Sequence, residues 1–247
     1  MGQWRRDDPA SDGDHKPQSF DSFVKAYDRR DKATGGFVTN WLEGALVGRH
    51  GGSAIDLGCG TGDVAVRLAE RYDHVTAVDL SQPMVDLARR KHAGSKVRFE
   101  RGDLTSVHGQ YDLVVSIMTL HHVPDLPAAL GHISTLVAPG GMVVLVDAVG
   151  RTPSARWPYY VGAIKDLLRD LRRAWATFRV STDSRWIAHL RSDEFLGPPE
   201  FVSIYEKALP GAEIRPVLPD AYAAVWHRPS PVAGRPRRPP ESQALEG

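Results

Sequence analysis

Cysteine is almost absent from this sequence, and its charges nearly cancel. Cys59 is the single cysteine among 247 residues, so the chain cannot form an intramolecular disulfide or a cysteine-based metal cluster, as is typical of proteins in a reducing compartment. The formal net charge is +1, which gives no general attraction to nucleic acid, because phosphate-binding proteins concentrate a larger basic excess. Any anionic partner would have to bind a local basic patch.

Long apolar runs are also lacking. None approaches the roughly 20 residues of a membrane span, and the N-terminal stretch contains neither the apolar core nor the cleavage site of a secretory signal. We therefore expect a cytoplasmic protein that does not contact membranes. With 42% hydrophobic and 25% charged residues, the chain can still form one substantial globular core.

The two ends of the chain differ in composition from its middle. Residues 1–19 are rich in Asp, Arg, Pro, Ser and Gly, and residues 229–247 are dominated by Pro and Arg. Both compositions predict disordered tails. One domain is expected over residues 20–228, with a helical lid inserted at about 151–198.

Between the tails, short β-branched runs alternate with helical patterns, which predicts an α/β fold with a doubly wound, mostly parallel sheet. The predicted strands cover 53–57, 75–79, 97–100, 112–118 and 142–147. Two further strands, within 212–218 and 221–228, lie at hairpin distance, and Pro216 indicates an edge or irregular position for the first of them. Ligands of doubly wound folds bind at the carboxyl ends of the strands.

Three helices are predicted between the parallel strands. The first, within DVAVRLAERY, has an apolar face formed by Val64, Ala65, Leu68, Ala69 and Tyr72. The second has Ser81 as its N-cap and Pro83 in its first turn. The third has an apolar face formed by Leu130, Ile133, Leu136 and Val137. Pro-Gly-Gly at 139–141 is expected to end this third helix with a turn.

Glycines alternate directly after the first predicted strand, at Gly58, Gly60 and Gly62 in AIDLGCGTGDVA. The dinucleotide fingerprint G-x-G-x-x-G needs a glycine where this sequence has Asp63, and a carboxylate there would repel phosphates. No G-K-[ST] follows, as a P-loop requires. The loop therefore favours a ligand without phosphates that approaches the backbone closely.

Three carboxylates accompany the glycine loop: Asp56 in the first strand, Asp79 at the end of the second and Asp103 after the third. A carboxylate at the end of the second strand of such a fold can accept both hydroxyls of a ribose. A nucleoside with a positive centre would suit this acidic lining.

Five motifs follow one another along the chain: AIDLGCGTGDVA, VTAVDLSQPMVDLAR, ERGDL, YDLVVSIMTLHHVPD and LVAPGGMVVLVDA. In order and spacing they resemble the class I S-adenosylmethionine-dependent methyltransferases of small-molecule type. The resemblance is specific over roughly 54–147 and weaker over 20–228. It implies a Rossmann-like, seven-stranded sheet with an antiparallel C-terminal hairpin, and S-adenosyl-L-methionine as the cofactor.

The resemblance also implies which residues bind the methionine and ribose parts of the cofactor. The backbone at Gly58 and Gly60 would face the methionine, whose ammonium group Asp56 would help to hold. Asp79 would accept from the ribose hydroxyls, with a helix cap as its alternative role. Tyr27, in FVKAYDRRDKATGG, would reach the methionyl end, with a place in the core as its alternative.

The adenine contacts are implied in the same way. Leu80 and Met84 would lie beside the adenine. Asp103 would accept from the exocyclic amine, although a Gly-Asp pair can equally make an ordinary turn. Leu104 would pack on the ring.

Residues after the fourth strand are candidates for the acceptor side of the site. By resemblance, Ser116 and Met118 would border the sulfonium. His121 and His122 follow them, and an imidazole with an ordinary pKa of about 6.5 could take a proton from a phenol or another hydroxyl. Their alternative role is to shape the cofactor pocket. His189, in the predicted lid, is either a third candidate base or substrate-orienting residue, or an ordinary helix residue.

Two further side chains have competing interpretations. Asp147, at the end of the fifth strand, is either a base or a cap. Cys59 is expected to be a small buried residue rather than a reactive thiol. We expect no metal site at His121 and His122, because adjacent residues point in different directions.

The predicted lid is basic and aromatic. Residues 151–191 carry nine Lys or Arg against three Asp, a local charge of +6. This is either a solvated helix face or a site for an acidic partner: a substrate carboxylate, a carrier protein with a phosphopantetheine arm, or RNA. Its aromatic side chains either line a pocket for a planar substrate or form the core between lid and sheet.

The sequence therefore predicts an enzyme that methylates a small molecule in a biosynthetic pathway. We favour O-methylation of a hydroxyl or carboxylate, because no loop of the N-P-P-Y type is present. N- and C-methylation stay open. So do a cyclase-like family member that binds the cofactor without transferring its methyl group, and an RNA methyltransferase that uses the basic lid, although the overall charge disfavours nucleic acid. The sequence leaves the oligomeric state open.

Overall fold

A computed structural model describes residues 37–150, 195–218 and 220–230. Tyr27, His189 and the N-terminal tail lie outside these residues, as do the predicted lid except for 195–198 and the C-terminal tail from residue 231. The predictions made for them stay predictions.

Seven strands form one sheet in the order β3-β2-β1-β4-β5-β7-β6. The strands are β1 (Gly51–Leu57), β2 (Tyr72–Asp79), β3 (Val97–Arg101), β4 (Tyr111–Ile117), β5 (Val137–Ala148), β6 (Glu213–Leu218) and β7 (Ala221–His227). The first five are parallel, and β7 runs antiparallel to both β5 and β6. The predicted sheet and its C-terminal hairpin are confirmed. Pro216 lies in the edge strand β6, beside a shift in register.

Helices cover both faces of this sheet. They are α1 (Phe37–Ala45), α2 (Asp63–Leu68), α3 (Gln82–Lys91), α4 (Leu126–Leu136) and α5 (Pro198–Ala208), with short 3-10 turns at Leu104–Ser106 and Leu120–His122. Ser81 caps α3 by accepting from the Met84 N–H at 3.4 Å, and Pro83 lies in the first turn, as predicted. None of the helices in the described ranges is long and apolar enough to cross a membrane.

The core has one part on each face of the sheet. On one face, α4 and α5 pack against alternate residues of the strands, including Ile55, Val114 and Leu145. On the other, α1, α2 and α3 pack against the residues between them, such as Ala54 and Val115. Both faces of the central strands are therefore buried, as a doubly wound parallel sheet requires.

The first predicted helix is shorter than its apolar pattern indicates. It ends at Leu68, and Tyr72 instead begins β2, where the residue is only 5% exposed. The Tyr72 ring lies against Gly51, where an added Cβ would come within 2.8 Å of the Tyr72 Cε1 atom. Burial of the ring beside a glycine of β1 outweighs the helical periodicity, which reflects local sequence alone.

The Pro-Gly-Gly segment at 139–141 also differs from its prediction. The helix does end before it, but β5 begins at Val137 and includes the segment as an irregularity in its pairing with β4. Gly140 has a φ of 80°. A Cβ on Gly141 would lie 2.9 Å from the Ala138 and Asp112 carbonyl oxygens. The glycines therefore allow a bulge inside a strand rather than a separate turn.

Candidate functional site

The glycine loop follows β1 at the carboxyl edge of the sheet. The chain leaves β1 toward β2 on one side, whereas β4 pairs with β1 on the other. In open sheets, this reversal of strand order opens a crevice for ligands. The backbone N–H groups of Gly58 and Cys59 both donate to the Val78 carbonyl, at 2.7 and 3.0 Å, so the loop is fixed to the end of β2.

Two of the loop glycines are required by protein packing. Gly58 and Gly62 have φ values of 75° and 83°, which favour glycine. A Cβ on Gly58 would lie 2.2 Å from Cγ2 of Thr119, and one on Gly62 would lie 2.5 Å from the Phe99 ring. Protein side chains therefore occupy the space that the missing Cβ atoms of these glycines leave, and the contact of the loop with the cofactor stays a prediction.

Asp79 joins the glycine loop to the start of α3. Its Oδ2 accepts from the Gly60 N–H at 2.8 Å, and its Oδ1 accepts from the Ser81 N–H at 2.9 Å. The carboxylate is half-buried at the end of β2. Its contacts fix its orientation, whereas the cap of α3 is Ser81.

Asp56 is a buried carboxylate with an unpaired oxygen. Its residue is 1% exposed, and its Oδ2 has no hydrogen-bond partner among the described residues. Burial, followed by the nearby charge of Asp79, raises the pKa of Asp56 to about 7, although a hydrogen bond from the Ala65 backbone opposes the shift. Such an oxygen is costly to leave unpaired, so it suits a donor supplied by a ligand.

Asp63 occupies the place of the third fingerprint glycine and accepts hydrogen bonds from its neighbours. It accepts from the Thr61 hydroxyl at 2.9 Å and from the Lys91 ammonium, and Nε2 of His92 lies 3.3 Å from its Oδ1. A carboxylate therefore occupies this place at the start of α2, paired with a lysine, and the interpretation that the loop does not take a pyrophosphate stays a prediction.

The predicted adenine contacts differ in exposure. Leu80 is 40% exposed, whereas Met84 and Leu104 are 2% and 9% exposed. Oδ1 of Asp103 accepts from both the N–H and the hydroxyl of Thr105, each at 2.8 Å. Asp103 therefore makes the local turn that was its alternative role, and its contact with an adenine amine stays a prediction, as do those of the other three.

The end of β4 contains a buried serine and a strained methionine. Ser116 is fully buried, and its hydroxyl donates to the Leu57 carbonyl at 2.8 Å, so this group faces β1. Met118 has a φ of 54°, the only positive φ of a non-glycine residue in the described ranges. Its N–H donates to the Val146 carbonyl at 2.7 Å. Backbone strain of this kind is concentrated at functional sites.

His121 and Asp147 form a side-chain pair between the ends of β4 and β5. The His121 Nδ1 lies 2.5 Å from the Asp147 Oδ1, and the two side chains are 11% and 4% exposed. The rings of His122 and Phe195 lie 3.9 and 5.1 Å from that of His121, measured between centroids. The sequence predicts roles for His121 and Asp147 separately and does not reveal their contact, although one follows β4 and the other lies at the end of the neighbouring parallel strand β5.

Cys59 is a free, buried residue. Burial, and then the charges of Asp56 and Asp79, raise the pKa of its thiol well above the ordinary value. Because the thiolate is the reactive form, this environment supports the interpretation of Cys59 as a packing residue.

The similar sequences belong to one family. Residues 54–141 match the family described as "Methyltransferase domain". An uncharacterised methyltransferase of Mycobacterium bovis is 31% identical over 185 residues, which cover 71% of this chain and 86% of the relative. A ubiquinone biosynthesis O-methyltransferase of Aeromonas salmonicida is 32% identical over 130 residues, covering 50% of this chain and 54% of that protein.

The fold has solved counterparts as well. A putative S-adenosylmethionine-dependent methyltransferase of Methanococcus maripaludis superimposes with a TM-score of 0.60 at 16% identity. The superposition covers 90% of this chain and all of the other. At that identity the likeness concerns the fold alone.

Proposed function

Since the chain belongs to the class I S-adenosylmethionine-dependent methyltransferases, we propose that it methylates a hydroxyl group of a small-molecule acceptor. S-adenosylmethionine supplies a methyl group on a positively charged sulfur. The protein's task is to align the acceptor oxygen, exclude water and remove the hydroxyl proton.

The buried acids of the glycine loop fit the charge of this cofactor. We assign the cofactor's ammonium group to Asp56, because the unpaired Oδ2 of this carboxylate lacks a donor in the described residues. We assign the ribose hydroxyls to Asp79, which lies at the end of β2 and is oriented by Gly60 and Ser81. The unpaired oxygen of Asp56 is the strongest single support for a cationic ligand.

The histidines after β4 support transfer to oxygen. An alcohol or phenol loses its proton when it is methylated, so a base beside the acceptor lowers the barrier. His121 is partly exposed and follows the strained Met118 by three residues, so we place the acceptor at this end of β4. The ubiquinone biosynthesis O-methyltransferase is consistent with this proposal, but the match spans only 54% of that relative.

We further propose that the acceptor is acidic or bound to a carrier protein, and that the reaction takes place in the cytoplasm. The +6 charge of residues 151–191 supports an anionic acceptor. The proposed catalytic domain covers 20–228, and Tyr27 and His189 belong to the proposed site at its predicted N-terminal and lid segments.

The test is a panel of acceptors incubated with the full chain and S-adenosylmethionine, with mass spectrometry of every product. The panel contains catechol and 4-hydroxybenzoate as hydroxyl acceptors, benzoate as a carboxylate, benzylamine as an amine, and transfer RNA. Methyl transfer to a hydroxyl oxygen is the expected result. Transfer only to nitrogen, carbon or RNA would contradict the proposal, and cofactor binding without S-adenosylhomocysteine from any acceptor would favour the cyclase-like alternative.

A further inference from the structure

The pair formed by His121 and Asp147 joins two neighbouring strand ends. The two strands run in parallel register, with Ile117 of β4 opposite Val146 of β5. Asp147 is the next residue of β5, and His121 lies in the 3-10 turn that follows β4. The contact therefore depends on the packing of the sheet and links the acceptor end of β4 to the neighbouring strand.

The contact determines where the imidazole carries its proton. An ionised carboxylate can only accept hydrogen bonds, so the His121 Nδ1 must be the donor to Asp147 at 2.5 Å. In the neutral ring, Nε2 then has the lone pair that can accept a proton. No described residue forms a hydrogen bond with Nε2.

Burial separates the roles of the two side chains. The Asp147 side chain is 4% exposed and also accepts from its own strand, through the Ala148 N–H at 2.9 Å. It is therefore too enclosed to receive a proton from an acceptor directly. The His121 side chain is 11% exposed. Asp147 can therefore influence an acceptor only through the His121 ring.

The surroundings of the pair hold the ring in one orientation. His122 and Phe195 contact the His121 ring, at centroid distances of 3.9 and 5.1 Å. Tyr205 of α5 is a titratable group near Asp147. Burial, and then the charge of Asp147, raise the pKa of Tyr205 well above its ordinary value.

We propose that Asp147 is a positioning residue that keeps His121 protonated at Nδ1, so that Nε2 is the base for a hydroxyl acceptor. This inference rests on the proposed function and selects His121 over His122 as the base. As the acceptor oxygen bonds to the methyl carbon of S-adenosylmethionine, the bond between that carbon and the sulfur breaks. Its electron pair stays on sulfur, which gives S-adenosylhomocysteine. The hydroxyl proton moves to Nε2, and Nδ1–H remains bonded to Asp147.

The test is NMR of the full chain with ¹⁵N-labelled histidine, saturated with S-adenosylhomocysteine at pH 8. The ¹⁵N shifts distinguish a protonated ring nitrogen from a bare one, and His121→Gln identifies the signals of this residue among the ten histidines. We expect a proton on Nδ1 and none on Nε2. Asp147→Asn should abolish the preference, because an amide donates as well as accepts, whereas His122→Gln should preserve it.

Kinetics with a hydroxyl acceptor from the panel supply the second readout. Asp147→Asn should lower kcat at least about tenfold, toward the roughly 10²- to 10⁴-fold loss expected on removing a general base in His121→Gln. The affinity for S-adenosylhomocysteine should not change in either variant.

The outcomes separate the inference from the function on which it rests. A His121 that is protonated at Nε2, or at both nitrogens, in a protein that methylates hydroxyls would overturn the inference and leave the proposed function intact. A wild-type kcat in Asp147→Asn would overturn the inference in the same way. Transfer only to nitrogen or carbon would overturn the proposed function, and with it the role of His121 as a base, whatever the tautomer.

Discussion

The two halves of the site are built differently. In the proposed cofactor half, formed by β1–β3 and their loops, the carboxylate of Asp79 accepts from the backbone N–H groups of Gly60 and Ser81. In the acceptor half, at the ends of β4 and β5, the main polar contact joins the side chains of His121 and Asp147, 26 residues apart. The proposed ribose acceptor of the first half is therefore oriented by the backbone, whereas the proposed base of the second half is oriented by another side chain.

The largest expected effect is a loss of cofactor affinity that leaves the acceptor half unchanged. Asp79→Ala removes one contact with Gly60 of the glycine loop and one with Ser81 at the start of α3, together with the proposed ribose contact. Hydrogen bonds to charged groups contribute about 1.5–3 kcal/mol each, so the affinity for S-adenosylhomocysteine should fall about 100-fold or more. Isothermal titration calorimetry measures this affinity. Asp86→Ala, on the surface of α3 with its side chain 45% exposed, is the control, and equal affinities for the two variants would refute the assignment of Asp79.

The second effect tests how the two halves are joined through Gly58 and Thr119. Gly58→Ala adds a Cβ that would collide with Thr119 at a φ of 75°, and strain and overpacking each cost about 1–3 kcal/mol. Urea unfolding should show the free energy of unfolding reduced by about 3 kcal/mol. Thr119→Ala in the same chain should restore the overpacking part of this loss but leave the backbone strain.

Gly131 is the matched control for this substitution. It lies within α4, with no atom within 4 Å of an added Cβ. Gly131→Ala should therefore raise the free energy of unfolding by roughly 0.5–1 kcal/mol, because alanine is the better helix former. If the two substitutions had the same effect, Thr119 would not constrain the loop.

The third effect is the pH dependence of the free energy of unfolding that results from Asp56. Its pKa is about 7 in the folded protein and 3.8 as the reference value, so the folded state binds the proton more tightly. The free energy of unfolding should therefore fall as the pH rises from about 4 to 7. Asp56→Asn should remove this slope in urea unfolding measured across that range, and an unchanged slope would exclude Asp56 as its cause.

The affinity for the ligand should change with pH in the opposite direction, also because of Asp56. An ammonium group favours the ionised form of Asp56, so the affinity of the wild type for S-adenosylhomocysteine should increase as the pH rises through 7. Calorimetry at pH 6 and pH 8 checks this increase. Asp56→Asn should bind more weakly and show a smaller dependence on pH.

The smallest effect concerns the acceptor half. The Tyr205 hydroxyl is buried and has no partner among the described residues, and an unpaired buried group costs about 1–3 kcal/mol. Tyr205→Phe should therefore raise the free energy of unfolding by about 1 kcal/mol. Tyr111→Phe is the contrast, because it removes a hydroxyl that donates to the His108 carbonyl at 3.3 Å. Destabilisation by Tyr205→Phe would show that its hydroxyl is paired.

The sequence was most informative where the structure is local. The glycine loop, Asp79 and the Ser81 cap lie within one β-α-β segment, so their spacing predicts their positions. Contacts between distant segments could not be predicted in this way. They join Thr119 to Gly58, Phe99 to Gly62, and Asp147 to His121. Those contacts depend on which strands are neighbours in the sheet, and periodicity along the chain does not encode that.

The same distinction explains the errors in the elements. Tyr72 continues a helical pattern but is buried in β2. The glycines at 140 and 141 are typical of a turn but form a bulge in β5. In both places, tertiary packing at a glycine outweighs the local preference of the chain.

The central claim is that the crevice beside β1 accepts a cationic nucleoside and excludes a pyrophosphate. Calorimetry of the full chain at pH 8, with S-adenosylmethionine in one titration and NAD in another, tests it most directly. The acidic lining of Asp56 and Asp79, and the bound Asp63 at the start of α2, predict binding of S-adenosylmethionine and no heat with NAD. Binding of NAD, or a failure of the folded protein to bind S-adenosylmethionine, would contradict the account.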